Sequence, residues 1–427
     1  MTHSPALLAY LSASRLAGPL AGPLLRRRLA RGKEDGDRLA ERQGHASRAR
    51  PGGKLIWLHG ASVGEAMSML PLIGALRERR AVSVLVTTGT LTSARRIAPL
   101  LPEGAFHQFV PVDTAAAVSR FLDHWRPDLG VWIESELWPR LVHETARRGI
   151  PAALVNARLS EASTRRWRRL PGMARALLGT FRVILAQDDE TVERLRTLGV
   201  DAQFGGNLKA VVRIEPAEAG ELHRFRNALG PRPVWLAAST HAGEEDQILA
   251  AHRRLCARQA EDPAPLLILA PRHPERRGEV AELIRREGLV FGCRSDGDIP
   301  GTDMGVFLAD SLGEMGLWYS LASTTFVGGS LVPRGGHTPY EPIQLGSAVI
   351  HGPHTDNFAP SYRALTAGGA AIAVSGAEDL ADAVARLQGD PTLRAELLSR
   401  AAQVHARLQP DVGMIADRLI SLMGAEA

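Results

Sequence analysis

Short apolar runs alternate with helix-like segments along most of this chain, and this alternation restricts the possible folds more than any other feature. Each run is bounded by turn or capping residues and is followed by a segment of helical character. Near-continuous apolar strands that alternate with helices are typical of a parallel sheet covered on both faces. The predicted strands begin at Lys54, Val82, His107, Asp128, Ala152 and Arg182, and again at Pro233, Pro265, Gly288, Gly305, Ser323 and Ser347. The sequence therefore predicts an α/β protein with two doubly wound, Rossmann-like domains.

The length of 427 residues is too great for one ordinary core and suits two domains. Residues 51–210 and 233–409 hold the two series of strands and are predicted as domains that face each other across a cleft. Residues 211–232 carry charge, Pro and Gly without a strand pattern and are predicted as the linker. Residues 410–427 are predicted to contain a helix, and the sequence leaves open whether that helix crosses back to the first domain.

Residues 1–50 are predicted to form a segment that associates with a membrane. The stretch from Leu7 to Leu25 is mostly Leu, Ala, Gly and Ser, and three arginines follow it. One arginine and two prolines interrupt the stretch, which disfavours a spanning helix, and the charges follow the apolar run, which disfavours a signal peptide. We therefore expect a shallow interfacial anchor with an arginine collar. The alternative is an amphipathic helix docked on the protein itself.

The distribution of charge favours a membrane surface over nucleic acid as the partner. The net charge is +5, from 51 Lys and Arg against 46 Asp and Glu, and four arginines surround Trp167. Basic residues beside apolar ones attract anionic lipid headgroups. No helix-turn-helix, zinc-finger or aromatic RNA-binding signature accompanies the charge. Cys256 and Cys293 lie outside any CxxC pattern, so neither a zinc knuckle nor a disulfide framework is expected.

Ligands of doubly wound sheets bind beyond the carboxyl ends of the strands, and the first such end here carries a glutamate. Ser62 and Gly64 belong to a tight turn after the first strand, and Glu65 begins the next helix. There Glu65 would face the cleft and accept the proton of an attacking hydroxyl group. The alternative is a first-turn glutamate that stabilises the helix dipole.

Further polar residues follow later strands of the first domain. Glu134 and Glu136 end a predicted strand, where a period of two would place both on one face. Two carboxylates near an anomeric carbon would orient an acceptor or stabilise positive charge, whereas the alternative is one helix cap and one solvated side chain. Asn156 and Arg158 occupy the next strand-to-helix turn, and Lys209 brings a cation towards the cleft.

The second domain carries the features of a nucleotide site. Arg272 and His273 end a strand and would donate hydrogen bonds to a phosphate. Gly335 and Gly336 permit close approach of the backbone to phosphate, and Glu341, shortly after them, would bind ribose hydroxyls. Backbone N–H groups at the predicted helix start Leu312-Gly313-Glu314 would also contact the nucleotide. Two Asp-Gly-Asp strings, at 35–37 and 296–298, are interpreted as turns, so neither a metal nor another cofactor is expected.

These segments together resemble one family, the 3-deoxy-D-manno-octulosonic acid (Kdo) transferases of lipopolysaccharide assembly. The matching strings are SVGE, ESELWP, NARLSE, GNLK, STHAGEED, PRHPER, GEM, FVGGSLVPRGGH and GPHTDNF, in family order between about residues 38 and 358. The resemblance implies a GT-B fold, CMP-Kdo as donor and the tetraacyl lipid A precursor (lipid IVA) as acceptor. It also implies inversion at the anomeric carbon, no metal, and a location on the cytoplasmic face of the inner membrane of a Gram-negative bacterium.

The resemblance also assigns roles to residues. Glu65 matches the general base, and Glu134, Glu136 and Lys209 match groups that support the transition state. The donor-binding positions are Arg272, His273, Leu312, Gly313, Glu314, Gly335, Gly336, His337, Thr338, Pro339, Tyr340 and Glu341. Thr338 stands where the family usually has Asn, and no Asp follows Lys209 closely. The rival interpretations are a GT-B enzyme that uses a UDP-sugar, either a transferase or a 2-epimerase, and a non-catalytic protein that binds lipid or nucleotide.

Overall fold

The structure, a computed structural model, describes residues 4–258 and 264–424. The chain divides into two compact units, one formed by residues 1–212 with 409–427 and the other by residues 213–408. Each unit is built around one parallel sheet of seven strands. The predicted α/β class with two doubly wound sheets is thereby confirmed.

The sheet of the first unit has the strand order β3-β2-β1-β4-β5-β6-β7. Its strands are β1 (Lys54–His59), β2 (Val82–Thr88), β3 (Ala105–Phe109), β4 (Leu129–Ile133), β5 (Ala152–Ala157), β6 (Val183–Ala186) and β7 (Gln203–Phe204). Its helices are α1 (Pro5–Leu16), α2 (Ala21–Ala30), α3 (Leu39–Arg42), α4 (Val63–Arg79), α5 (Leu91–Ile97), α6 (Ala115–Trp125), α7 (Pro139–Arg147), α8 (Glu161–Arg168), α9 (Pro171–Leu178) and α10 (Asp189–Thr197). Residues Val412–Ser421, the last helix of the chain, also pack in this unit, against α4.

The near-continuous apolar strands of this sheet are covered on both faces, as their sequence requires. On one face Ile56 and Leu58 are fully buried beneath α4 and the last helix. On the other face Trp57 packs edge-on against Trp132, with ring centroids 4.7 Å apart, beneath α1, α6, α7 and α9. Each buried side chain of this size contributes roughly 1.5–3 kcal/mol, so the two apolar layers fix the positions of the strand ends.

The sheet of the second unit has the order β10-β11-β9-β8-β12-β13-β14. Its strands are β8 (Val234–Thr240), β9 (Leu266–Pro271), β10 (Phe291–Cys293), β11 (Val306–Leu308), β12 (Thr324–Val327), β13 (Ala348–His351) and β14 (Ala371–Ala373). Its helices are α11 (Ala219–Leu229), α12 (Glu245–Arg258), α13 (Arg277–Arg286), α14 (Met315–Leu321), α15 (Tyr340–Gln344), α16 (Ala359–Ala367), α17 (Ala377–Gly389) and α18 (Pro391–Leu408); the last helix of the chain is α19. Each predicted run contains an observed strand, whereas the short strands β7 and β14 were not predicted.

The segment 211–232, predicted as a linker, contains the helix α11. Its Phe225 is fully buried and lies edge-on to Trp318, with ring centroids 5.5 Å apart. Phe225 and Leu229 are both buried in the core of the second unit and attach the helix to it.

The amino-terminal segment forms α1 and α2, and α1 packs on the first unit. The Tyr10 hydroxyl donates a hydrogen bond to Asp113 at 2.8 Å, and Leu7 and Ser14 are buried. This position of α1 agrees with the docked-helix alternative. Within the part of the chain that is described, no helix combines the length and the apolar character needed to span a bilayer.

Candidate functional site

Glu65 is held rigidly in the first turn of α4. Ser62 is the N-cap residue, and its hydroxyl oxygen accepts a hydrogen bond from the Glu65 N–H group at 3.3 Å. The Glu65 carboxylate accepts in return from the Ser62 hydroxyl and from the Ala61 N–H group, both at 2.7 Å. This Ser-x-x-Glu arrangement is a variant of the capping box in which the glutamate accepts from the Ala61 N–H group and the Ser62 hydroxyl instead of the Ser62 N–H group, so the carboxylate has a defined position at the carboxyl end of β1.

Small residues around this turn allow other groups to approach Glu65. A Cβ on Gly60 would lie 3.0 Å from the Glu65 Cβ, and one on Gly64 would lie 3.4 Å from the Lys209 Cε. The first separation is tighter than nearly all real contacts, whereas the second lies at the lower limit of ordinary van der Waals contact. Glycine at position 60 therefore leaves room for the Glu65 side chain beside the turn.

Glu134 and Lys209 form an ion pair beside this turn. Their side chains are 10% and 20% exposed, so water screens the pair only weakly. The Asn156 amide lies 3.5 Å from Glu134 Oε1, and its oxygen accepts from the Leu208 N–H group at 3.0 Å. Asn156 thereby joins the end of β4 to the segment that carries Lys209.

Glu134 and Asn156 both have left-handed backbone conformations, with φ of 63° and 56°. Such conformations cost free energy in residues other than glycine and are concentrated at functional sites. The strand β4 ends at Ile133, so the predicted extended segment that puts Glu134 and Glu136 on one face is wrong. The left-handed turn at Glu134 breaks the period of two, and α7 begins only at Pro139.

Burial and electrostatic repulsion act on the acidic residues of this region. Burial raises the pKa of Glu65, and repulsion by Glu134 raises it further, against the opposing effect of Lys209. Burial also raises the pKa of Glu136, which accepts a hydrogen bond from the Trp138 side chain. Glu65, Glu134 and Lys209 therefore form one electrostatically coupled group, while Glu136 lies in the connection between β4 and α7.

Arg158 follows β5 in the turn before α8, as predicted. Its carbonyl oxygen accepts a hydrogen bond from the Ser135 hydroxyl, which ties this turn to the connection after β4. Ser160 is the N-cap of α8 and accepts from the Ser163 N–H group at 3.2 Å.

In the second unit, two histidines from different strand ends meet. The Nε2 atoms of His241 and His337 are 2.9 Å apart, and the planes of the two rings are inclined by only 2°. A Cβ on Gly329 would lie 3.3 Å from one ring and 3.4 Å from the other, so glycine is needed there. Burial, together with smaller contributions from nearby basic groups, His273 first among them, lowers the pKa of His241 to about 4.

Glu244 organises the loop that follows β12. The side chain is fully buried, and its two oxygens accept hydrogen bonds from the N–H groups of Gly329, Ser330 and Leu331 at 2.7–2.9 Å. A fourth hydrogen bond comes from the His241 N–H group at 3.0 Å. One carboxylate thus fixes the loop after β12 relative to the end of β8.

The glycine-rich segment after this loop is held by Asn357. A Cβ on Gly335, where φ is 86°, would lie 2.7 Å from the Asn357 amide nitrogen. That amide donates to the Gly336 carbonyl at 3.3 Å. Thr338 accepts a hydrogen bond from the Tyr340 N–H group at 3.3 Å, immediately before α15, and Pro339 is the N-cap of that helix. The side chain of Thr338 therefore supports the start of α15.

Arg272 and Glu341 interact electrostatically within the same unit. Burial raises the pKa of Glu341, whereas a hydrogen bond from the Tyr319 hydroxyl and the charge of Arg272 oppose that rise. The charge of Arg272 also contributes to lowering the pKa of His337 to about 4, after burial and His241. Arg272, His337 and Glu341 are therefore brought together, as the prediction of a nucleotide site requires. His273 forms a 3.4 Å contact with Glu275 and is half exposed.

The third predicted donor segment has a different local structure. The helix α14 begins at Met315, so Glu314 is its N-cap residue and Gly313 has a φ of 89°. The Glu314 carboxylate pairs with Arg294 at 2.6 Å, and this hydrogen bond lowers its pKa. Leu312 is 73% exposed. The segment is thus anchored through Glu314 and exposes Leu312 to solvent.

Sequence reasoning did not single out His241 or Glu244 as site residues. Both belong to the STHAGEED string at the carboxyl end of β8. Because ligands of such sheets bind at the carboxyl ends of strands, this position could have identified them as candidates. Among the residues described, no group of three or more His, Cys, Asp or Glu side chains is arranged to hold a metal ion.

Comparisons with known proteins show which family the chain resembles. A family model described as 3-Deoxy-D-manno-octulosonic-acid transferase (kdotransferase) matches residues 37–212. The 3-deoxy-D-manno-octulosonic acid transferase of Haemophilus influenzae is 37% identical over 334 residues, which cover 77% of this chain and 78% of that protein. The transferase of the same description from Bordetella pertussis is 37% identical over 355 residues, which cover 82% of each chain.

A solved structure matches over most of the chain. The UDP-GlcNAc 2-epimerase from Neisseria meningitidis, bound to UDP-GlcNAc, superposes with a TM-score of 0.59 and covers 87% of this chain and 99% of that one. The sequence identity is 12%, so the likeness concerns the fold alone. It confirms the GT-B fold.

Proposed function

Because the chain belongs to the family of 3-deoxy-D-manno-octulosonic acid (Kdo) transferases, which are glycosyltransferases, we propose that it transfers Kdo from CMP-Kdo to the lipid A precursor lipid IVA. The transfer proceeds with inversion at the anomeric carbon and belongs to the assembly of the lipopolysaccharide inner core. The observation that carries this proposal is the buried, doubly hydrogen-bonded carboxylate of Glu65 beside the Glu134–Lys209 ion pair.

Glu65 is the proposed general base. The acceptor hydroxyl donates its proton to the Glu65 carboxylate while its oxygen forms the new bond to the anomeric carbon of Kdo. The bond from that carbon to the phosphate oxygen breaks, and CMP leaves with the electron pair. The raised pKa of Glu65 makes it a stronger base than an exposed glutamate, and its two hydrogen bonds fix its direction.

Glu134 and Lys209 support the same step. The negative charge of Glu134 favours the positive charge that develops at the anomeric carbon, and Lys209 prevents the two carboxylates from repelling each other fully. Asn156 holds both members of the pair in place. Glu136, Ser62, Gly64 and Arg158 remain proposed contributors to the acceptor side of the reaction.

The second unit is the proposed donor-binding unit. Arg272 and His273 neutralise the phosphate of CMP, and the Gly335–His337 segment approaches it through the backbone. Glu341 binds ribose hydroxyls. Because CMP carries a single phosphate, arginine and backbone N–H groups suffice for its charge, and we propose that transfer needs no divalent cation.

The membrane side of the proposal rests on the first two helices. Leu8, Leu16, Leu20 and Leu24 of this segment are 53–80% exposed. Exposed leucines beside arginines are typical of helices that lie in the lipid interface. We therefore propose a peripheral enzyme on the cytoplasmic face of the inner membrane, where its acceptor is embedded.

The experiment uses purified full-length protein, freshly generated CMP-Kdo and lipid IVA in mixed micelles. Mass spectrometry should detect Kdo added to the lipid, with or without EDTA, and CMP should raise the midpoint temperature of thermal unfolding more than UDP does. Turnover of UDP-GlcNAc with protection by UDP alone would establish the rival 2-epimerase instead. Binding of CMP without any product would leave only the non-catalytic alternative.

A further inference from the structure

A cavity of about 560 Å³ lies in the first unit between α1, α6 and α7. Its walls include Leu8, Leu11 and Arg15 on α1, and Arg140, Glu144 and Arg147 on α7. These helices cover the face of the sheet that carries Trp57, whereas α4, which bears Glu65, covers the opposite face. The cavity is therefore separate from the proposed catalytic group.

The cavity carries excess positive charge because three arginines and one glutamate line it. Glu144 accepts hydrogen bonds from Arg147 at 2.9 Å and from Arg148 at 2.7 Å. Although burial opposes it, these two bonds lower the pKa of Glu144, so the carboxylate remains ionised and paired. Arg15 is exposed and forms no ion pair with any residue that the structure describes.

Arg140 gives this cavity a fixed wall. It is 7% exposed, and its guanidinium donates to the Ser14 hydroxyl at 2.7 Å and to the Leu11 carbonyl. Those bonds hold α1 in position over α7. These hydrogen bonds pre-organise one wall of the cavity, which reduces the entropic cost of binding.

The apolar residues at the cavity indicate what kind of anion it accommodates. Leu8 is 53% exposed, and Leu16 and Leu20, further along the same segment, are 80% and 69% exposed. A free phosphate ion gains nothing from exposed leucines, whereas a lipid would place its headgroup between the arginines and its acyl chains along the leucines. The volume also lies within the range of small-molecule sites.

We propose that the cavity binds the phosphate headgroup of an anionic glycerophospholipid of the membrane, with Arg15 and Arg147 as its ligands. This inference rests on the proposed membrane location and specifies the lipid contact that orients the first unit there. Arg140 acts as a positioning residue because its guanidinium is already bonded to Ser14 and Leu11 of α1 and to Glu144.

The test is a calorimetric titration of the full-length protein with dihexanoyl-phosphatidylglycerol below its micellar concentration, and separately with inorganic phosphate. We expect saturable binding of one short-chain lipid and much weaker binding of phosphate. Arg15→Gln and Arg147→Gln should each weaken lipid binding about tenfold, equivalent to about 1.4 kcal/mol. The matched control is Arg95→Gln, which removes an exposed arginine from α5 on the opposite face of the sheet and should change nothing.

Three results would overturn the inference: equal affinity for phosphate and short-chain lipid, equal losses in all three variants, or displacement of the short-chain lipid by stoichiometric lipid IVA. The first identifies a free phosphate site, the second a diffuse charge effect, and the third an acceptor subsite. Kdo transfer to lipid IVA in detergent is measured on the same preparations. Transfer without lipid binding contradicts only this inference, and lipid binding without transfer contradicts only the proposed function.

Discussion

Replacement of Glu244 by Gln should destabilise the second unit and displace the proposed donor loop. Each carboxylate oxygen accepts two backbone hydrogen bonds: Ser330 and Leu331 donate to Oε1, and His241 and Gly329 donate to Oε2. Glutamine retains one oxygen and directs an NH₂ group at the other pair of donors. Each buried donor left without an acceptor costs about 1–3 kcal/mol, so the variant should lose about 2–6 kcal/mol.

The same substitution should weaken donor binding. The loop after β12 is bonded to the glycine-rich segment, since the Gly336 N–H group donates to the Gly329 carbonyl at 2.8 Å and His337 donates to Gly328 at 3.3 Å. If displacement of this loop weakens the binding free energy of the donor by about 1.4 kcal/mol, the KM for CMP-Kdo should rise about tenfold.

Urea unfolding and initial-rate kinetics measure the two effects. The matched control is Asp246→Asn, which makes the same chemical change at an exposed position of α12. A Glu244→Gln protein with the stability and KM of the control would refute the reasoning, because it would mean that the four hydrogen bonds make no net contribution to the free energy of unfolding or to donor binding.

Three further predictions follow from other parts of the structure. Glu134→Gln removes the repulsion that raises the pKa of Glu65, so the acidic limb of the kcat/KM profile should move to lower pH; an unmoved limb would contradict the coupling. Burial lowers the pKa of His337 to about 4, below the 6.5 of an unfolded histidine. The unfolded state therefore binds the proton more readily, and the stability that the neutral His337 contributes is lost as the pH falls from 6.5 to 4. The midpoint temperature of unfolding should fall over that range, and it should fall less steeply in His337→Asn. Gly316→Ala would bring a Cβ onto the backbone oxygen of Glu215 and should lower the free energy of unfolding in urea by roughly 3 kcal/mol or more. Gly278→Ala, in open space on α13, should instead raise it by up to about 1 kcal/mol. Equal effects of the two substitutions would contradict the packing argument.

The strands could be predicted from sequence because both faces of each sheet are buried, which leaves continuous apolar runs such as Lys54–His59. The strand β7 has only two residues and both are exposed, so it leaves no such pattern. The helix α11 was not predicted for a related reason, since it buries only two residues, Phe225 and Leu229, and so leaves a weak apolar pattern.

The candidate site was predictable in part. The position of Glu65 could be predicted from the sequence because its hydrogen-bonding partners, Ala61 and Ser62, lie within four residues of it. The conformation of Glu134 was not, because a left-handed residue directly after a strand has no side-chain signature when it is not glycine. Glu244 could not be interpreted from its neighbours, since its hydrogen-bonding partner Gly329 is 85 residues away in the sequence.

The most direct test of the proposed mechanism is the rate of Kdo transfer by Glu65→Gln, measured with CMP-Kdo and lipid IVA under single-turnover conditions. The glutamine oxygen can still accept from the Ala61 N–H group, and the Ser62 hydroxyl, unlike a backbone N–H group, can turn to accept from the glutamine NH₂ group. Because the amide cannot accept the proton, transfer should fall by about 10²–10⁴-fold while CMP binding and the unfolding midpoint stay close to wild type. Glu78→Gln, at the exposed far end of the same helix, is the control and should transfer normally. Transfer by Glu65→Gln at the rate of that control would contradict the assignment of Glu65 as the base.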